Sequence, residues 1–266
     1  MAAIFFDIDG TLLNWKKEMP ESTARTLQVL RRYGHEPIIC TGRTKVFAEM
    51  EPSLRDGFDG RLYGCGTNLF YRGEELLQRE ISHDDLKLCI DTLTEADMPF
   101  ILEGRDYFYA RSSELAEEAY GRYIIDSLGS RMLDADAHIR DLHVNKLIAV
   151  LLKRHKDTAM QDIDYVTQRL SSRFQVMNHN NRALEIVPRG FTKATAIEML
   201  CSRIGLDPKD AYAVGDGNND VEMLRLVGHG IAMGEASPAA KEAASYVTSG
   251  VNEHGIYLAM RHFELI

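Results

Sequence analysis

Short apolar runs alternate with longer amphipathic stretches in the first and last thirds of the chain. Consecutive apolar residues predict buried strands at 4–6, 36–40, 211–214 and 230–233. Between these runs, apolar residues recur every three or four positions, a spacing typical of helices with one buried face. Because strands that alternate with helices form parallel sheets covered on both faces, we expect one α/β domain built from both thirds.

The predicted helices carry residues that commonly begin and end helices. The first is expected to begin at Pro20 and to end at Gly34, with Tyr33 as the last member of its apolar stripe. Another is expected to begin after Thr192, a common N-cap residue, and to end at Gly205. The short apolar runs between such helices are therefore interpreted as strands.

The middle of the chain has a different order of elements. Strands are predicted at 100–103 and 107–110 with no helix between them, a helix follows at about 113–128, and a polar stretch extends to Asn145. Strands that follow each other directly are typical of α+β structure. The expected division is a Rossmann-like parallel-sheet α/β core of residues 1–79 and 187–266, with an inserted α+β cap domain of residues 80–186.

Composition and charge exclude one class of function. The chain has 266 residues, of which 45% are apolar and 27% charged, as is typical of a folded globular protein. Asp and Glu outnumber Lys and Arg by 40 to 31, and the formal net charge is −9. A general nucleic-acid binder needs a basic surface, so no nucleic-acid partner is expected. An anionic small molecule remains compatible with this charge, because a bound metal and a few local cations can outweigh it.

The four cysteines are far apart in the sequence and form no pair with metal-site spacing. We interpret them as reduced thiols of a cytoplasmic protein rather than as disulfides or zinc ligands. The longest apolar run, Leu147–Leu152, is much shorter than a membrane span. We therefore expect no membrane association, and no pattern in the sequence points to an obligatory protein partner.

Polar residues with useful chemistry follow three of the predicted strands. Asp7 and Asp9 follow the first strand, Thr41 and Gly42 follow the second, and Asp216 follows the third. Alternate residues of an extended segment point the same way, so the first two carboxylates are expected to face one spot. Asp216 joins them if its strand lies beside the first, at the edge where doubly wound sheets bind ligands. Three convergent carboxylates need a cation, and oxygen ligands with a phosphate favour Mg²⁺.

The motifs around these residues, taken together, resemble those of one enzyme superfamily. They are Asp7-Ile8-Asp9-Gly10-Thr11, Thr41-Gly42, Lys193 and Gly215-Asp216-Gly217-Asn218-Asn219-Asp220. With these motifs in this order, the chain resembles the haloacid dehalogenase superfamily over nearly its whole length. More narrowly, it resembles the Cof-type phosphatases with a large α/β cap, subfamily IIB. Many Cof-type proteins have an Asn-Gly pair before the cap, where this chain has Gly64-Cys65-Gly66, so the role of that Asn is open here.

The resemblance implies a role for each motif residue. Asp7 is expected to attack phosphorus and form an aspartyl phosphate, while Asp9 acts as general acid and then as general base. The Asp7 side chain, the Asp9 backbone carbonyl and Asp216 are expected to hold Mg²⁺. Asp220 is expected to support Lys193, and Arg43 either contacts the substrate or pairs with a carboxylate. The residues expected to contact the phosphoryl group are Ile8, Thr41, Gly42, Lys193 and Asn219.

The resulting expectation is a Mg²⁺-dependent phosphatase that hydrolyses small phosphorylated metabolites, with sugar phosphates as the leading class. Two alternatives stay open. A phosphomutase of the phosphomannomutase type has the same motifs and a similar cap, and a catalytically silent protein would only bind the metabolite. The presence of Asp9 argues against the silent protein, because binding alone needs no general acid.

The inserted domain is expected to close over the core and to select the substrate. Asn180, Asn181 and Arg182 are the candidates for specificity, although a turn between two strands explains them equally well. A further polar group is interpreted as a solvated loop rather than a metal site, because its spacing suits neither a helix face nor a strand. Its members are Asp134, Asp136, His138, Asp141 and His143.

Overall fold

The chain forms two compact units. The computed structural model describes residues 1–116, 119–138, 141–152, 158–179 and 181–266. The first unit contains Met1–Gln78 and Phe191–Ile266, and the inserted unit contains Arg79–Gly190. The inserted unit thus begins at residue 79 where we expect residue 80, and it ends at residue 190 where we expect residue 186.

The elements alternate as the apolar pattern indicates, and all four strands predicted in the outer thirds are present. The strands of the described residues are β1 (Ala3–Phe6), β2 (Glu36–Cys40), β3 (Gly60–Tyr63), β4 (Asn68–Tyr71), β5 (Glu74–Gln78), β6 (Phe100–Glu103), β7 (Phe108–Ala110), β8 (Met132–Asp134), β9 (Lys146–Val150), β10 (Phe174–His179), β11 (Ala183–Pro188), β12 (Tyr212–Gly215), β13 (His229–Ala232) and β14 (Tyr246–Val247). The α-helices of the same residues are α1 (Glu21–Arg32), α2 (Lys45–Ala48), α3 (His83–Glu95), α4 (Ser112–Leu115), α5 (Ala119–Leu128), α6 (Ala159–Leu170), α7 (Lys193–Ile204), α8 (Val221–Leu226), α9 (Pro238–Ala243) and α10 (Gly255–His262).

The sheet of the first unit has the order β14-β13-β12-β1-β2-β3-β4-β5. Six strands, from β14 to β3, pair in parallel, which confirms the expected α/β class. At the other edge of the sheet, β4 pairs antiparallel with both β3 and β5. Arg72 and Gly73 connect β4 to β5, and both have positive φ. Such a two-residue turn makes a hairpin and leaves no room for the crossover helix that parallel pairing needs.

The helix ends of the first unit follow the predicted signals with one exception. Pro20 precedes α1, Thr192 caps α7 by accepting from a backbone N–H, and Gly205 ends α7 in the left-handed region with φ 71°. Tyr33 is 68% exposed, so its expected place in the apolar stripe of α1 is wrong. It follows the last helical residue, and the chain has already left the helical path that would turn it inward.

The inserted unit contains a six-stranded sheet in the order β10-β11-β9-β6-β7-β8. Its pairs are antiparallel except for β7 and β8, as an α+β unit requires. The helix predicted at 113–128 is wrong as one element: α4 and α5 occupy this region, and residues 117–118 between them lie outside the described residues. The stretch expected to be polar up to Asn145 contains β8, a Met-Leu-Asp segment that pairs in parallel with β7.

Each unit has its own apolar core. The first packs β1, β2 and β12 against the apolar faces of α1, α7 and α10. The second contains Leu102, Leu147 and Leu184, which come from the central strands of the inserted sheet. Because side chains alternate along a strand, the neighbours Glu103, Lys146 and Glu185 lie on the other face of that sheet. Among the described residues, no helix is both long enough and apolar enough to cross a bilayer.

Candidate active site

The carboxyl ends of three neighbouring strands bring the predicted motifs to one edge of the first sheet. β1 lies between β2 and β12, so Asp7, Thr41 and Asp216 each follow directly after adjacent strands. The Asp7 backbone N–H donates to the carbonyl of Val214 at 3.0 Å, which continues the pairing of β1 with β12 past the strand end. The parallel register therefore puts these side chains together, although they are far apart in sequence.

A buried lysine holds two of the carboxylates. Lys193 Nζ donates to Asp7 Oδ1 and to Asp220 Oδ1, each at 2.5 Å. Lys193 is 1% exposed and Asp220 is fully buried. Lys193 is the first residue of α7, and Thr192 fixes that helix start through a reciprocal cap with Thr195. Local helix capping thus aims the ammonium group at the end of β1.

Asp220 also fixes the loop that carries Asp216. Its Oδ2 atom accepts from the backbone N–H groups of Asp216 and Gly217 at 2.9 and 2.8 Å. Gly215 leaves room for this carboxyl group, since a Cβ there would lie 2.6 Å from the Asp220 Cγ atom. Asp220 therefore supports both Lys193 and the Asp216 loop, which agrees with the supporting role expected for it.

Asp7, Asp216 and Asp220 form an acidic cluster, in which each residue has a carboxylate oxygen within 4.8 Å of the others. Gly10 allows the close approach at this point: its φ is +79°, and a Cβ would lie 2.3 Å from Asp216 Oδ2. Burial, followed by the charge of Asp220, raises the pKa of Asp216 to about 6 even though Lys193 opposes the shift. Burial also raises the pKa of Asp7 well above its usual value, against the opposing charge of Lys193.

The acidic cluster fits a hard divalent cation. Its donors are carboxylate oxygens, which Mg²⁺ and Ca²⁺ prefer, and one lysine does not balance three carboxylates. The Asp220 oxygens already accept from Lys193 and two backbone N–H groups, so Asp7 and Asp216 are better placed to coordinate a metal. These are two of the three metal ligands expected from the sequence.

The Asp9 carboxylate is not part of the acidic cluster among the described residues, although its negative charge acts to raise the pKa of both Asp7 and Asp216. β1 ends at Phe6, and Asp9 lies in a turn that forms an isolated bridge with Leu13, so the alternation of an extended strand does not apply to it. Its carboxylate accepts from Arg43 Nε at 2.8 Å and from Arg43 Nη2 at 2.5 Å. Of the two interpretations open for Arg43, the structure shows the pairing with a carboxylate.

The remaining phosphate-site candidates lie in turns around the acidic cluster. The Thr41 hydroxyl accepts from the Arg43 backbone N–H at 3.1 Å, which leaves its own proton available for a ligand oxygen. Gly42 follows it directly, and Ile8 is a buried residue in the turn after Asp7. Asn219 is partly exposed in the short turn before α8, with its side-chain oxygen close to Gly217.

The sequence did not indicate two residues that contact Arg43, Glu51 and Phe47. Glu51 Oε1 lies 3.4 Å from Arg43 Nη1, and the Arg43 guanidinium lies 4.8 Å from the centre of the Phe47 ring. No local sequence signal points to them: Phe47 lies within α2, but Arg43 precedes that helix and Glu51 follows its end at Ala48. The Gly64–Gly66 turn is also close by, and a Cβ on Gly66 would lie 2.8 Å from Ala196 Cβ in the first turn of α7.

The specificity candidates belong to the inserted unit. Asn181 and Arg182 lie in the turn between β10 and β11, where Asn181 has φ 54° and its N–H donates to Asn178 Oδ1 at 2.8 Å. Asn180 lies outside the described residues. The structure thus shows the turn that we considered for this segment, and contact with a substrate stays a prediction.

The polar group at 134–143 is not a metal cluster among the described residues. Asp136 pairs with Arg111, with Oδ2 3.0 Å from Nε, and Asp134 Oδ1 accepts from the backbone N–H of Ala137. His143 Nδ1 lies 2.9 Å from Glu80 Oε2. These local partners agree with the interpretation as a solvated segment.

Comparison with known proteins places this site in a family. The family model for haloacid dehalogenase-like hydrolases matches residues 4–260. "Putative phosphatase YkrA" of Bacillus subtilis is 29% identical over 264 residues, which cover 99% of this chain and 98% of that protein. The 5-amino-6-(5-phospho-D-ribitylamino)uracil phosphatase YcsE of the same organism is 24% identical over 264 residues. The matched region covers 98% of this chain and 95% of that protein.

A solved structure gives the same result for the fold. A haloacid dehalogenase-like hydrolase from Bacteroides thetaiotaomicron superposes with a TM-score of 0.85 at 23% identity, over 98% of this chain and 99% of that one. The resemblance inferred from the four motifs is therefore confirmed. Because the family model spans nearly the whole chain, from residue 4 to residue 260, this protein belongs to the haloacid dehalogenase-like hydrolases.

Proposed function

We propose that this hydrolase is a Mg²⁺-dependent phosphatase that acts on small phosphorylated metabolites through an aspartyl phosphate at Asp7. One observation carries the proposal: a buried lysine fixes one oxygen of Asp7 at the end of the central strand, beside an excess of negative charge. A carboxylate held in this way loses little orientational freedom when it attacks, which lowers the barrier of the first step. The names of the two Bacillus relatives support phosphatase activity at the level of the family.

In the first half-reaction, an Asp7 oxygen forms a bond to phosphorus while the bond from phosphorus to the leaving oxygen breaks. Asp9 supplies the proton that the leaving alkoxide takes, so an alcohol departs. Lys193 stays on Asp7 and offers positive charge to the phosphoryl oxygens. The Thr41 hydroxyl donates to one of those oxygens, since its lone pair is already engaged by the Arg43 N–H.

In the second half-reaction, water attacks the phosphorus of the aspartyl phosphate. Asp9, now ionised, takes a proton from that water, and the bond from phosphorus to Asp7 breaks. Inorganic phosphate leaves and the Asp7 carboxylate is restored. Asp7, the Asp9 carbonyl and Asp216 would hold Mg²⁺, which would supply positive charge to the phosphoryl group. Asp220 keeps Asp216 in place throughout, through the two backbone N–H groups that it accepts from.

The motif residues of the first unit account for recognition of the phosphoryl group but not of the leaving group. Its motif residues would contact the phosphoryl group and hold the metal, and the phosphoryl group is common to all phosphate monoesters. We propose that the inserted unit selects the leaving group, that Asn180, Asn181 and Arg182 contribute, and that sugar phosphates are the leading class. The phosphoribityl substrate in the name of YcsE is a phosphate monoester of a polyol chain, which supports this class.

The test is to trap the intermediate. Wild type is mixed with a labelled phosphate monoester, quenched in acid and digested, and the labelled peptide is identified by mass spectrometry. We expect a base-labile label on Asp7, no label in Asp7→Asn, and a normal label in Asp59→Asn. Asp59 is the matched control, since it is a carboxylate of the same unit whose side chain pairs with the exposed Arg31. A label on another residue would contradict the nucleophile assignment.

Product analysis separates the two enzymatic alternatives. A phosphatase releases inorganic phosphate in proportion to substrate consumed, whereas a phosphomutase returns an isomeric sugar phosphate. Turnover that disappears in Asp7→Asn would rule out the catalytically silent protein.

Metal binding has a readout that does not depend on activity. After chelation, added Mg²⁺ should raise the melting temperature, because a ligand at 100 times its Kd stabilises the folded state by about 2.7 kcal/mol. Asp216→Asn should remove most of this shift, and Asp59→Asn should leave it unchanged. An equal shift in Asp216→Asn would place the metal elsewhere.

A further inference from the structure

Arg43 contacts both carboxylate oxygens of Asp9. Its Nε and Nη2 atoms donate to Oδ2 and Oδ1 of Asp9, so both carboxylate oxygens are engaged in one two-pronged pair. The Arg43 side chain is 7% exposed, whereas that of Asp9 is 50% exposed. The guanidinium is therefore the fixed member of the pair, and the carboxylate is the member with room to move.

Two further groups keep the guanidinium in place. The Phe47 ring lies 4.8 Å from the Arg43 guanidinium carbon, a distance typical of a cation stacked on an aromatic face. Glu51 Oε1 lies 3.4 Å from Nη1, on the nitrogen that does not contact Asp9. The Thr41 hydroxyl accepts from the Arg43 backbone N–H, which ties the same residue to the phosphate-site candidates.

This arrangement poses a physical problem for Asp9. A carboxyl group that delivers a proton to a leaving oxygen cannot keep both of its oxygens in the Arg43 fork. A buried guanidinium that loses its only counterion is strongly destabilised, so Asp9 could not turn away if Arg43 had no second partner. Glu51 is such a partner, since it is already within ion-pair distance and is itself only 17% exposed on its side chain.

We propose that Arg43 is a positioning residue that holds Asp9 in the resting enzyme and releases one of its oxygens to the leaving group, while Glu51 retains the guanidinium. The inference rests on the proposed acid–base function of Asp9. In this arrangement the contact with Arg43 limits the conformations of the Asp9 side chain. The carboxyl group therefore loses little conformational entropy when it reaches the leaving oxygen. Glu51 lowers the cost of that rotation because the buried positive charge always faces a carboxylate.

The experiment compares a poor and a good leaving group in the first half-reaction. Single-turnover transfer is measured from an alkyl phosphate that wild type hydrolyses and from p-nitrophenyl phosphate, whose leaving group needs little protonation. The variants are Arg43→Ala, Arg43→Lys and Glu51→Gln. The control is Arg31→Ala, which removes an arginine of the same unit that pairs with Asp59, away from the motifs.

We expect a loss that depends on the leaving group. Loss of a general acid costs ~10²–10⁴-fold, so misplacing it in Arg43→Ala should slow alkyl transfer by ~10–10²-fold and aryl transfer by less than ~3-fold. Arg43→Lys should be intermediate for the alkyl substrate, because an ammonium group cannot make the two-pronged contact. Glu51→Gln should show a smaller loss of the same kind, in the maximal rate rather than in KM. Added guanidinium ion should partly restore alkyl transfer in Arg43→Ala.

Three outcomes would overturn the inference. Equal losses for both substrates would make Arg43 a structural residue, and unchanged alkyl transfer would show that Asp9 needs no positioning. Faster alkyl transfer in Arg43→Ala would show that the Arg43–Asp9 pair slows proton delivery by Asp9 rather than assisting it. Where Arg43→Ala does not fold, Arg43→Lys and Glu51→Gln decide the question. Failure of the proposed function is distinguishable, since wild type would then form no phosphoenzyme at Asp7 with either substrate.

Discussion

The two units contain the same local arrangement, a buried lysine between two carboxylates, with opposite electrostatic consequences. In the first unit, Lys193 pairs with Asp7 and Asp220. In the inserted unit, Lys146 pairs with Glu185 and lies 3.6 Å from Glu103. Both lysines are at most 3% exposed. Burial of a lysine between acids is therefore not by itself a sign of function.

Charge balance distinguishes the two clusters. Around Lys193, a third carboxylate, Asp216, leaves the cluster with excess negative charge, and burial together with Asp220 raises the pKa of Asp216 to about 6. Burial also acts to raise the pKa of Glu185, but Lys146 and the ring of His179 outweigh it and lower that pKa to about 2. The first cluster therefore favours binding a further cation, whereas the second stabilises its own ionised form.

The two clusters also differ in where their charged residues lie relative to the strands. The carboxylates of the first unit lie beyond strand ends or at a helix start, where the backbone turns and a ligand can approach. Glu103, Lys146 and Glu185 lie within strands, and Glu103 is directly paired with Lys146 in the register of β6 and β9. An ion pair between adjacent strands favours one register over a slip by one residue, since a slip would carry its charges into the apolar face.

Removing each lysine should separate the two clusters most strongly. Lys193→Met should reduce kcat by at least ~10²–10³-fold, because it deletes a preorganised cation from the phosphoryl site. Lys146→Met should cost about 3–5 kcal/mol of unfolding free energy, since it leaves a buried carboxylate unpaired. Urea unfolding and steady-state kinetics on purified folded protein measure both quantities.

The proposed difference between the two lysine clusters would be contradicted if Lys146→Met reduced kcat and Lys193→Met reduced only stability. Turnover of p-nitrophenyl phosphate per folded molecule should stay within ~3-fold of wild type in Lys146→Met, because the leaving group of this substrate needs little recognition. A severe loss of kcat in that variant would give the inserted cluster a catalytic role.

The two clusters should respond to pH in opposite directions when metal is removed. The pKa of Glu185 falls from 4.5 to about 2 on folding, so its contribution of about 3 kcal/mol is present above pH 4.5 and is lost as the pH falls towards 2. The pKa of Asp216 rises from 3.8 to about 6 on folding, so this group reduces stability as the pH rises through that interval.

Urea unfolding in chelator across this pH range measures both slopes. Glu185→Gln should remove the loss at low pH, and Asp216→Asn should reduce the decline at higher pH, to which Asp7 also contributes because its pKa is raised as well. If either substitution left its slope unchanged, the corresponding pKa shift would have another origin. Added Mg²⁺ should also suppress the Asp216 decline, because the bound cation favours the ionised carboxylates.

The hairpin turn of the inserted unit should give the smallest effects. Asn181 has φ 54°, so Asn181→Ala should cost about 1 kcal/mol through backbone strain, whereas Asn181→Gly keeps this conformation accessible. If the side chain contacts the substrate, both variants should change kcat/KM for a preferred sugar phosphate by several-fold while p-nitrophenyl phosphate is unaffected. A defect in Asn181→Ala alone would assign the residue to the turn, and Arg182→Ala supplies a second probe of specificity.

Local sequence patterns determined the architecture of this protein. Apolar runs of three to five residues, together with Pro20, Thr192 and Gly205, predicted four strands of the first unit and the positions of α1 and α7, because these signals act within a few residues. They also predicted that Asp216 would join Asp7 if its strand lay beside the first, and the sheet order, with β12 next to β1, meets that condition. The antiparallel edge was missed because its hairpin depends on positive φ at Arg72, a residue with no preference for it.

Tertiary structure alone decided which charges pair. The alternation of an extended strand does not predict the partner of Asp9, because β1 stops at Phe6 and the chain turns. Arg43, 34 residues away, then takes the Asp9 carboxylate, while Asp220 enters the acidic cluster through Lys193. Likewise, nothing local distinguishes Lys146 from a surface lysine until three strands place it between two glutamates. Ion pairs depend on distance and burial, which are set only when separate strands and helices pack together.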